Sequence, residues 1–135
     1  MRPKNILVVD DEVDMKSLYE QRFRREIRQS LVHIAFASSG KEALSYIKDH
    51  EQDSLLVLSD INMPEMTGFE LLERIKEEQK NPPPVVMMVS AYGDAENYSK
   101  AIRMGADDFV TKPIDFTLLK QKLNLQANVQ DTGSR

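Results

Sequence analysis

The sequence is notable first for what it lacks. Cysteine is absent, so disulfides and thiolate metal sites are excluded and a reducing cytosol is compatible with the chain. No apolar run approaches the ~20 residues that a membrane-spanning helix needs, and the N-terminus has no signal-peptide core. An excess of basic residues is also missing, and the net charge of −4 argues against nucleic-acid binding by this domain. We therefore expect a soluble, cytoplasmic domain.

Glycine is scarce, with five in 135 residues. None of them forms a Gly-rich phosphate loop after the first apolar run, which argues against a nucleotide or flavin site. The content of 41% hydrophobic and 30% charged residues is normal for a globular protein of one domain. We expect this domain to span residues 1–126. Residues 127–135 are polar and without periodicity, as in a flexible tail or the start of a linker.

Five short runs of strand-forming residues alternate with segments of helical periodicity. The runs cover residues 6–9, 31–37, 55–59, 85–89 and 108–111. Continuous apolar runs of this length are typical of strands buried on both faces of a parallel sheet, whereas alternation in the second run indicates an edge strand. Strict alternation of strand and helix predicts right-handed crossovers. We therefore expect an α/β fold of the flavodoxin-like, doubly wound (βα)5 type, with a five-stranded parallel sheet of order 2-1-3-4-5.

Five helices are expected between and after these strands. In the first, apolar residues recur at three- and four-residue spacing from Met15 to Ile27, and Asp11 is its expected N-cap. The four later helices have capping signals of their own. Their expected N-caps are Ser39, Thr67, Asp94 and Asp115. Each cap places the start of a helix shortly after the end of a strand.

Chemically active side chains stand at the C-terminal ends of four of the five predicted strands. They are Asp10 and Asp11 after strand one, Asp60 at strand three, Ser90 at strand four and Lys112 at strand five. In the expected order these strands are neighbours, so their ends gather at the switch point where open α/β sheets bind ligands. Taken singly, each residue has a simpler interpretation as a helix cap, a turn residue or a surface charge. Their convergence on one edge favours a functional site.

The carboxylates at this edge indicate a metal site. Three acids packed together repel one another unless a cation intervenes. Oxygen ligands without a nearby histidine or cysteine select a hard cation, Mg²⁺ or alternatively Mn²⁺. The expected ligands are Asp11 and Asp60 directly, Asp10 through water, and the carbonyl of Asn62.

The charges of this site suit a phosphoryl group. The three aspartates, a divalent cation and Lys112 sum to a formal charge of zero, so a dianionic phosphoryl group can approach without net repulsion. The Ser90 hydroxyl can donate a hydrogen bond to a phosphoryl oxygen. A carboxylate nucleophile, a metal, an ammonium group and a hydroxyl donor are the parts that aspartyl-phosphate formation needs. The pattern therefore predicts Asp60 as a phosphoryl acceptor.

Four ordered motifs resemble the receiver domain of bacterial two-component response regulators, over about residues 4–126. The motifs are residues 8–12 (Val-Val-Asp-Asp-Glu), 58–64 (Leu-Ser-Asp-Ile-Asn-Met-Pro) with Gly68, 89–91 (Val-Ser-Ala) and 105–113 (Gly-Ala-Asp-Asp-Phe-Val-Thr-Lys-Pro). The resemblance implies that Asp60 accepts a phosphoryl group from a sensor histidine kinase or a histidine phosphotransfer protein, in a magnesium-dependent reaction. It implies a phosphoacceptor switch rather than an enzyme.

The resemblance also implies roles for individual residues. The metal ligands that it implies are Asp10, Asp11, Asp60 and the carbonyl of Asn62. Lys112 contacts the phosphoryl group, and Ser90 switches on phosphorylation together with a rotating aromatic on the fifth strand. Phe109 occupies that position and lacks a hydroxyl, so its inward state would rest on packing. The peptide bond between Lys112 and Pro113 is expected to be cis.

Two questions stay open on the sequence alone. A phosphatase of the haloacid dehalogenase type also forms an aspartyl phosphate, but it needs a second acid where this chain has Asn62. The fourth helix, fifth strand and fifth helix carry charges that either pair two copies as a homodimer on phosphorylation or are simply solvated. These charges are Lys100, Arg103, Asp107, Asp108, Lys120 and Lys122. No direct contact with nucleic acid or membrane is expected.

Overall fold

A parallel sheet lies between two layers of helices. The computed structural model describes residues 3–50, 54–78, 83–91 and 95–125. Its strands are β1 (Lys4–Val9), β2 (Val32–Ala37), β3 (Leu55–Asp60), β4 (Val85–Ala91) and β5 (Asp108–Lys112). The four strand pairings are all parallel, and the order is β2-β1-β3-β4-β5. The predicted order and the flavodoxin-like fold are therefore confirmed, with β2 at an edge.

Six helices, rather than the predicted five, lie in the described ranges. They are α1 (Asp14–Arg22), α2 (Arg24–Arg28), α3 (Gly40–Asp49), α4 (Gly68–Glu78), α5 (Ala95–Arg103) and α6 (Phe116–Lys122). The prediction of one continuous first helix is wrong, because Phe23 leaves helical geometry at φ −105° and ψ 15° and separates α1 from α2. Phe23 stays buried, whereas Ile27 beyond the break is 39% exposed. The buried residue of α2 is Glu26.

The start of α1 also differs from the prediction. Asp11 does not cap this helix, because Val13 holds the N-cap position and no side chain caps it. Instead, the Asp10 carboxylate accepts the backbone N–H of Glu12 in this loop, at 2.9 Å. The predicted cap Asp94 and the predicted tail at residues 127–135 lie outside the described residues.

Other predicted caps are present. The Ser39 hydroxyl accepts the backbone N–H of Glu42 at 3.1 Å. Thr67 and Glu70 form a complete capping box, in which each side chain accepts the backbone N–H of the other, at 3.2 and 2.8 Å. The Asp115 carboxylate accepts a backbone N–H of α6 at 3.1 Å. Each cap satisfies an N–H group that would otherwise lack a partner at the start of a helix.

Two apolar layers cover the two faces of the sheet. Successive residues of β1 alternate between them: Leu7 and Val9 face the layer closed by α3, α4 and α5, and Ile6 and Val8 face the layer closed by α1 and α6. Burying one such side chain contributes about 1.5–3 kcal/mol. A strand covered on both sides gives the continuous apolar run seen in the sequence.

The strand register aligns the carboxyl ends of four strands. Val9 pairs with Ser59, Asp60 with Val89, and Ala91 with Lys112. The residues at these ends therefore share one edge of the sheet. None of the helices in the described ranges combines the length and the apolar character that crossing a bilayer requires.

Candidate functional site

Asp60 is held rigidly at the end of β3, a strand whose six residues are all buried. Beyond it, the Ile61 N–H donates to the Val89 carbonyl at 3.0 Å, and the Gly68 N–H donates to the Ile61 carbonyl at 2.8 Å. A Cβ atom at Gly68 would lie 2.8 Å from both the Cα of Ile61 and the terminal methyl of Met88. Only glycine fits against this backbone, so the turn after Asp60 has little freedom.

Two further carboxylates come from the loop after β1. The Asp10 N–H donates to the Ala37 carbonyl at 3.1 Å, and the Asp10 carboxylate accepts the N–H of Glu12 at 2.9 Å. The side chains of Asp10 and Asp60 are 7% and 8% exposed, whereas that of Glu12 is 65% exposed. The cluster thus combines two buried acids with one acid at the solvent boundary.

Lys112, at the end of β5, is the cation of this cluster. Its Nζ atom lies 3.3 Å from an oxygen of Asp60, 3.5 Å from one of Asp10 and 3.4 Å from one of Glu12. The lysine side chain is 26% exposed. The peptide bond from Lys112 to Pro113 is cis, as the family resemblance implies. One ammonium group therefore bridges three carboxylates that come from two other strand ends.

These contacts shift the acid–base behaviour of the buried groups. Burial raises the pKa of Asp60 above its ordinary 3.8, against the opposing charge of Lys112. Burial likewise raises the pKa of Asp10, although the Glu12 N–H and Lys112 lower it. Burial alone would lower the pKa of Lys112, but Asp60 and Asp10 outweigh that effect and raise it. Burial thus disfavours the ionised forms of both acids despite the nearby ammonium group.

The acidic cluster can hold a divalent cation. Oxygens of Asp10, Glu12 and Asp60 lie within 4.8 Å of one another. A donor set of oxygens suits Mg²⁺, and the raised pKa values of the two buried acids fit a site that gains from added positive charge. Asp11 is exposed and outside this group, although it lines a cleft of about 240 Å³ together with Asp10 and Glu12. The backbone N–H of Asn62 donates to the Asp60 carboxylate, and its carbonyl stays a predicted ligand, as does Asp11.

The two predicted switch residues contact neighbouring residues of one helix. Ser90 is fully buried and pairs with Thr111 in the strand register. Its hydroxyl oxygen accepts a hydrogen bond from the amide nitrogen of Asn97 at 3.4 Å. Phe109 is half-buried, and its ring packs edge-on against that of Tyr98, with centroids 5.3 Å apart at an angle of 79°. Helix α5 therefore contacts both switch positions.

Three residues at the site are not assigned by the sequence pattern. Glu12 belongs to the acidic run after strand one, but the loop backbone determines which acids of that run turn toward Lys112. Asn97 and Tyr98 follow Ser90 by seven and eight residues and lie outside every motif. Asn97 lies on the polar side of the helical pattern, and Tyr98 lies on the apolar side with Ala101 and Ile102. Neither position signals a contact with a buried hydroxyl or a strand aromatic.

Comparison with protein families gives one match over most of the chain. The family described as the response regulator receiver domain matches residues 6–124. A curated relative, an uncharacterized 14.6 kDa protein in the sodA1 3' region of Leptolyngbya boryana, is 41% identical over 111 residues. That alignment covers 82% of this chain and 80% of the relative.

Two further comparisons involve longer or assembled proteins. The transcriptional regulatory protein ZraR of Escherichia coli (strain K12) is 34% identical over 126 residues, which cover 93% of this chain and 25% of ZraR. The chain thus spans about a quarter of that relative. The co-crystal structure of the Saccharomyces cerevisiae histidine phosphotransfer signaling protein Ypd1 with the receiver domain of its downstream response regulator Ssk1 matches the fold. Its TM-score is 0.77 at 24% identity, covering 92% of this chain and 89% of that one.

Proposed function

The chain belongs to the response regulator receiver domain family, and on this premise we propose that Asp60 accepts a phosphoryl group from a histidine kinase or a histidine phosphotransfer protein. The observation that carries this proposal is the buried carboxylate of Asp60, 3.3 Å from the Lys112 ammonium and beside Asp10. The solved complex of the Ssk1 receiver domain with Ypd1 supports a phosphohistidine donor for this chain.

In the proposed reaction, a carboxylate oxygen of Asp60 attacks the phosphorus of a phosphohistidine. A P–O bond to Asp60 forms as the P–N bond breaks, and the imidazole nitrogen keeps the electron pair. Lys112 stabilises the negative charge of the phosphoryl oxygens during the transfer, because its ammonium group already lies at the Asp60 carboxylate. The same charge opposes the effect of burial on the pKa of Asp60 and so favours the ionised nucleophile.

We propose Mg²⁺ as the cofactor of this reaction, with Mn²⁺ as a chemically similar alternative. The residues that would hold it are Asp10, Asp11, Asp60 and the carbonyl of Asn62, with Glu12 as an additional candidate. When bound, the cation supplies positive charge to the acids and to the incoming phosphoryl group. The oxygen donors and the raised pKa values of two buried acids support this proposal.

We propose that the phosphorylated state acts through Ser90 and Phe109. The buried Ser90 hydroxyl would donate to a phosphoryl oxygen, and Phe109 would respond by repacking because it has no hydroxyl to bond. Asn62 has an amide where a haloacid dehalogenase-type phosphatase needs an acid to protonate the leaving group. The residues therefore favour a phosphoacceptor switch over a phosphatase.

Phosphorylation-dependent dimerisation through α5, β5 and α6 is a further proposal, and apolar residues fit it better than the charges do. Lys122 pairs within the chain with Asp108 at 3.0 Å, and Lys120 pairs with Glu26 at 3.2 Å. The exposed apolar residues of this face are Tyr98 (51%), Ile102 (42%) and Leu118 (48%). Sedimentation with and without beryllium fluoride, a phosphoryl mimic, tests the contact, and an unchanged monomer would reject it.

Intact mass measurement tests phosphorylation directly. The protein is incubated with Mg²⁺ and a small acyl phosphate, and the wild-type chain should gain the mass of one phosphoryl group. Asp60→Asn should gain none, and a chelator should abolish the gain in the wild type. Asp49→Asn, at the far end of α3, is the matched control and should behave as wild type. No gain in the wild type, or an equal gain in Asp60→Asn, would contradict the proposal.

A further inference from the structure

We propose that Asn97 is a positioning residue that couples the buried Ser90 hydroxyl to the exposed ring of Tyr98. Through this coupling, α5 responds to phosphorylation of Asp60. The coupling rests on the proposed phosphorylation of Asp60. It concerns two residues that lie outside the four sequence motifs of the site.

Neighbouring residues of α5 join the interior of the site to its surface. The Asn97 amide nitrogen donates to the Ser90 hydroxyl oxygen at 3.4 Å. The next residue, Tyr98, packs edge-on against Phe109 with ring centroids 5.3 Å apart, a favourable aromatic geometry. Ser90 has no solvent exposure, whereas Tyr98 is 51% exposed. One peptide unit therefore links a buried hydroxyl to a ring that faces solvent.

The direction of the Asn97 hydrogen bond determines which group Ser90 can bind next. A hydroxyl donates one hydrogen and accepts through two lone pairs. Because the amide of Asn97 donates, this bond takes a lone pair of Ser90 rather than its hydrogen. A phosphoryl oxygen on Asp60 is an acceptor for that hydrogen. Asn97 thus holds Ser90 without occupying the hydrogen that the phosphorylated site needs.

The helix that carries Asn97 is lightly anchored. Ala101 is the buried residue of α5 among Ala95–Arg103. A further contact is made by the Lys100 ammonium, 4.4 Å from the ring centroid of Phe69. Elements with few buried apolar contacts need the least free energy to move. Helix α5 has one buried residue and α6 has two, so of these two helices α5 needs less free energy to move.

Movement of Ser90 acts on Tyr98 through this weak link. At 3.4 Å the hydrogen bond from Asn97 is beyond the usual range for N–H···O contacts. When the Ser90 hydroxyl moves toward a phosphoryl oxygen, the bond either draws Asn97 along or breaks. In the first case α5 moves with Asn97 relative to β5, and in the second α5 loses a contact that holds it in place. The edge contact of Tyr98 with Phe109 changes with the position of α5, and so does the surface that α5 presents.

Fluorine NMR of protein labelled with fluorotyrosine measures the environment of Tyr98, and Tyr98→Phe assigns its resonance. Beryllium fluoride with Mg²⁺ serves as the phosphoryl mimic. In the wild type the Tyr98 resonance should shift on addition of the mimic. In Asn97→Ala this shift should fall below half of the wild-type value. Ser90→Ala should lose it similarly, and the double variant should lose no more than either single change, because both residues act in one path.

Asn97→Asp tests the direction of the bond while conserving the shape of the side chain. A carboxylate only accepts, so it takes the Ser90 hydrogen and competes with the phosphoryl oxygen for it. The half-maximal shift of Tyr98 should then need more beryllium fluoride than in the wild type. Ser99→Asp adds the same charge to the exposed side of α5 and is the matched control. A role of Asn97 in packing alone would leave Asn97→Asp equal to this control.

Intact mass after treatment with the acyl phosphate separates the two proposals. If the wild type gains no phosphoryl group, the proposed function fails and the coupling fails with it. If Asn97→Ala is phosphorylated and keeps the full Tyr98 shift, the coupling is overturned while Asp60 stands as acceptor. The coupling is also overturned if the wild type is phosphorylated but its Tyr98 resonance does not shift. If Asn97→Ala does not fold, the comparison of the isosteric Asn97→Asp with Ser99→Asp tests the coupling instead.

Discussion

Replacing Lys112 with methionine tests how far the fold depends on one ammonium group among three carboxylates. The Nζ atom lies 3.3 Å from Asp60 and 3.5 Å from Asp10. At an effective dielectric constant of ~20, one such pair interacts by about 5 kcal/mol. Desolvation of the buried ions offsets much of this attraction, and the 26% exposure of the lysine side chain allows solvent to screen it. We expect Lys112→Met to lower the free energy of unfolding by about 2–4 kcal/mol near neutral pH without metal.

This loss should depend on pH at both ends of the range. Burial raises the folded-state pKa values of Asp10 and Asp60 above 3.8, so both acids bind protons as the pH falls through those values. In Lys112→Met the two acids are then uncharged and need no partner. The loss of unfolding free energy relative to the wild type therefore becomes smaller. At the alkaline end, the pKa of Lys112 is raised above 10.5. The stability that this lysine adds is complete below 10.5 and is lost as pH rises through the folded-state value.

Urea unfolding followed by circular dichroism measures the effect, since the chain has no tryptophan to report it. Lys122→Met is the matched control, because Lys122 pairs with Asp108 at 3.0 Å where both side chains are partly exposed. We expect that control to lose less than about 1 kcal/mol. Added Mg²⁺ should stabilise Lys112→Met more than the wild type. Equal losses in the two variants at neutral pH would refute the view that Lys112 neutralises the buried acids.

Three further changes test other parts of the molecule. Burial raises the pKa of Asp60, so wild-type stability falls as this acid ionises. In metal-free urea titrations Asp60→Asn should therefore be more stable near neutral pH, with no gain as pH approaches 3.8. Gly68→Ala puts a methyl group against the backbone after Asp60 and should cost about 1–3 kcal/mol in urea unfolding, whereas Gly40→Ala meets only the flexible side chain of Met66 and should cost less. Asp115→Ala removes the N-cap of α6 and should lower the unfolding free energy by about 1 kcal/mol, whereas Asp115→Asn should retain most of it.

Contrary results for these three changes are equally specific. If Asp60→Asn is no more stable than the wild type at neutral pH, the ionised Asp60 carboxylate does not destabilise the fold. Equal losses in Gly68→Ala and Gly40→Ala would mean that the turn after Asp60 can relax. An equal loss in Asp115→Asn and Asp115→Ala would show that the side-chain cap contributes little.

The sheet could be predicted from the sequence because burial on both faces leaves a direct signal. Residues 55–58 are continuously apolar, and the strand ends in Ser59 and an acid, Asp60. The break at Phe23 could not be predicted in this way, since neither glycine nor proline marks it and Ile27 continues the helical spacing. Tertiary packing of Phe23, together with the burial of Glu26, takes precedence there over local periodicity.

The site was predictable to the extent that strand ends fix it. Asp60 ends β3 and Lys112 ends β5, on either side of β4, and the alignment of parallel strand ends at one sheet edge brings them together. The acids in the loop after β1 could not be assigned in this way. A loop has no hydrophobic periodicity to indicate which side chains point toward the site. The participation of Glu12, and the exposure of Asp11, depend on backbone angles that composition does not encode. Asn97 lies on the helix that follows the strand of Ser90, and the sequence pattern does not indicate that its side chain turns back to the Ser90 hydroxyl.

The separation of the two apolar layers by the sheet has an evolutionary consequence. Ala101 of α5 packs in one layer and Leu119 of α6 in the other, so we expect substitutions at these two positions to affect stability additively. Either helix can therefore drift in sequence and acquire a new partner without compensating changes behind the opposite face. The acid at the end of β3 is anchored by the strands themselves. The position of that acid is therefore set by the sheet rather than by the outer surfaces of α5 and α6.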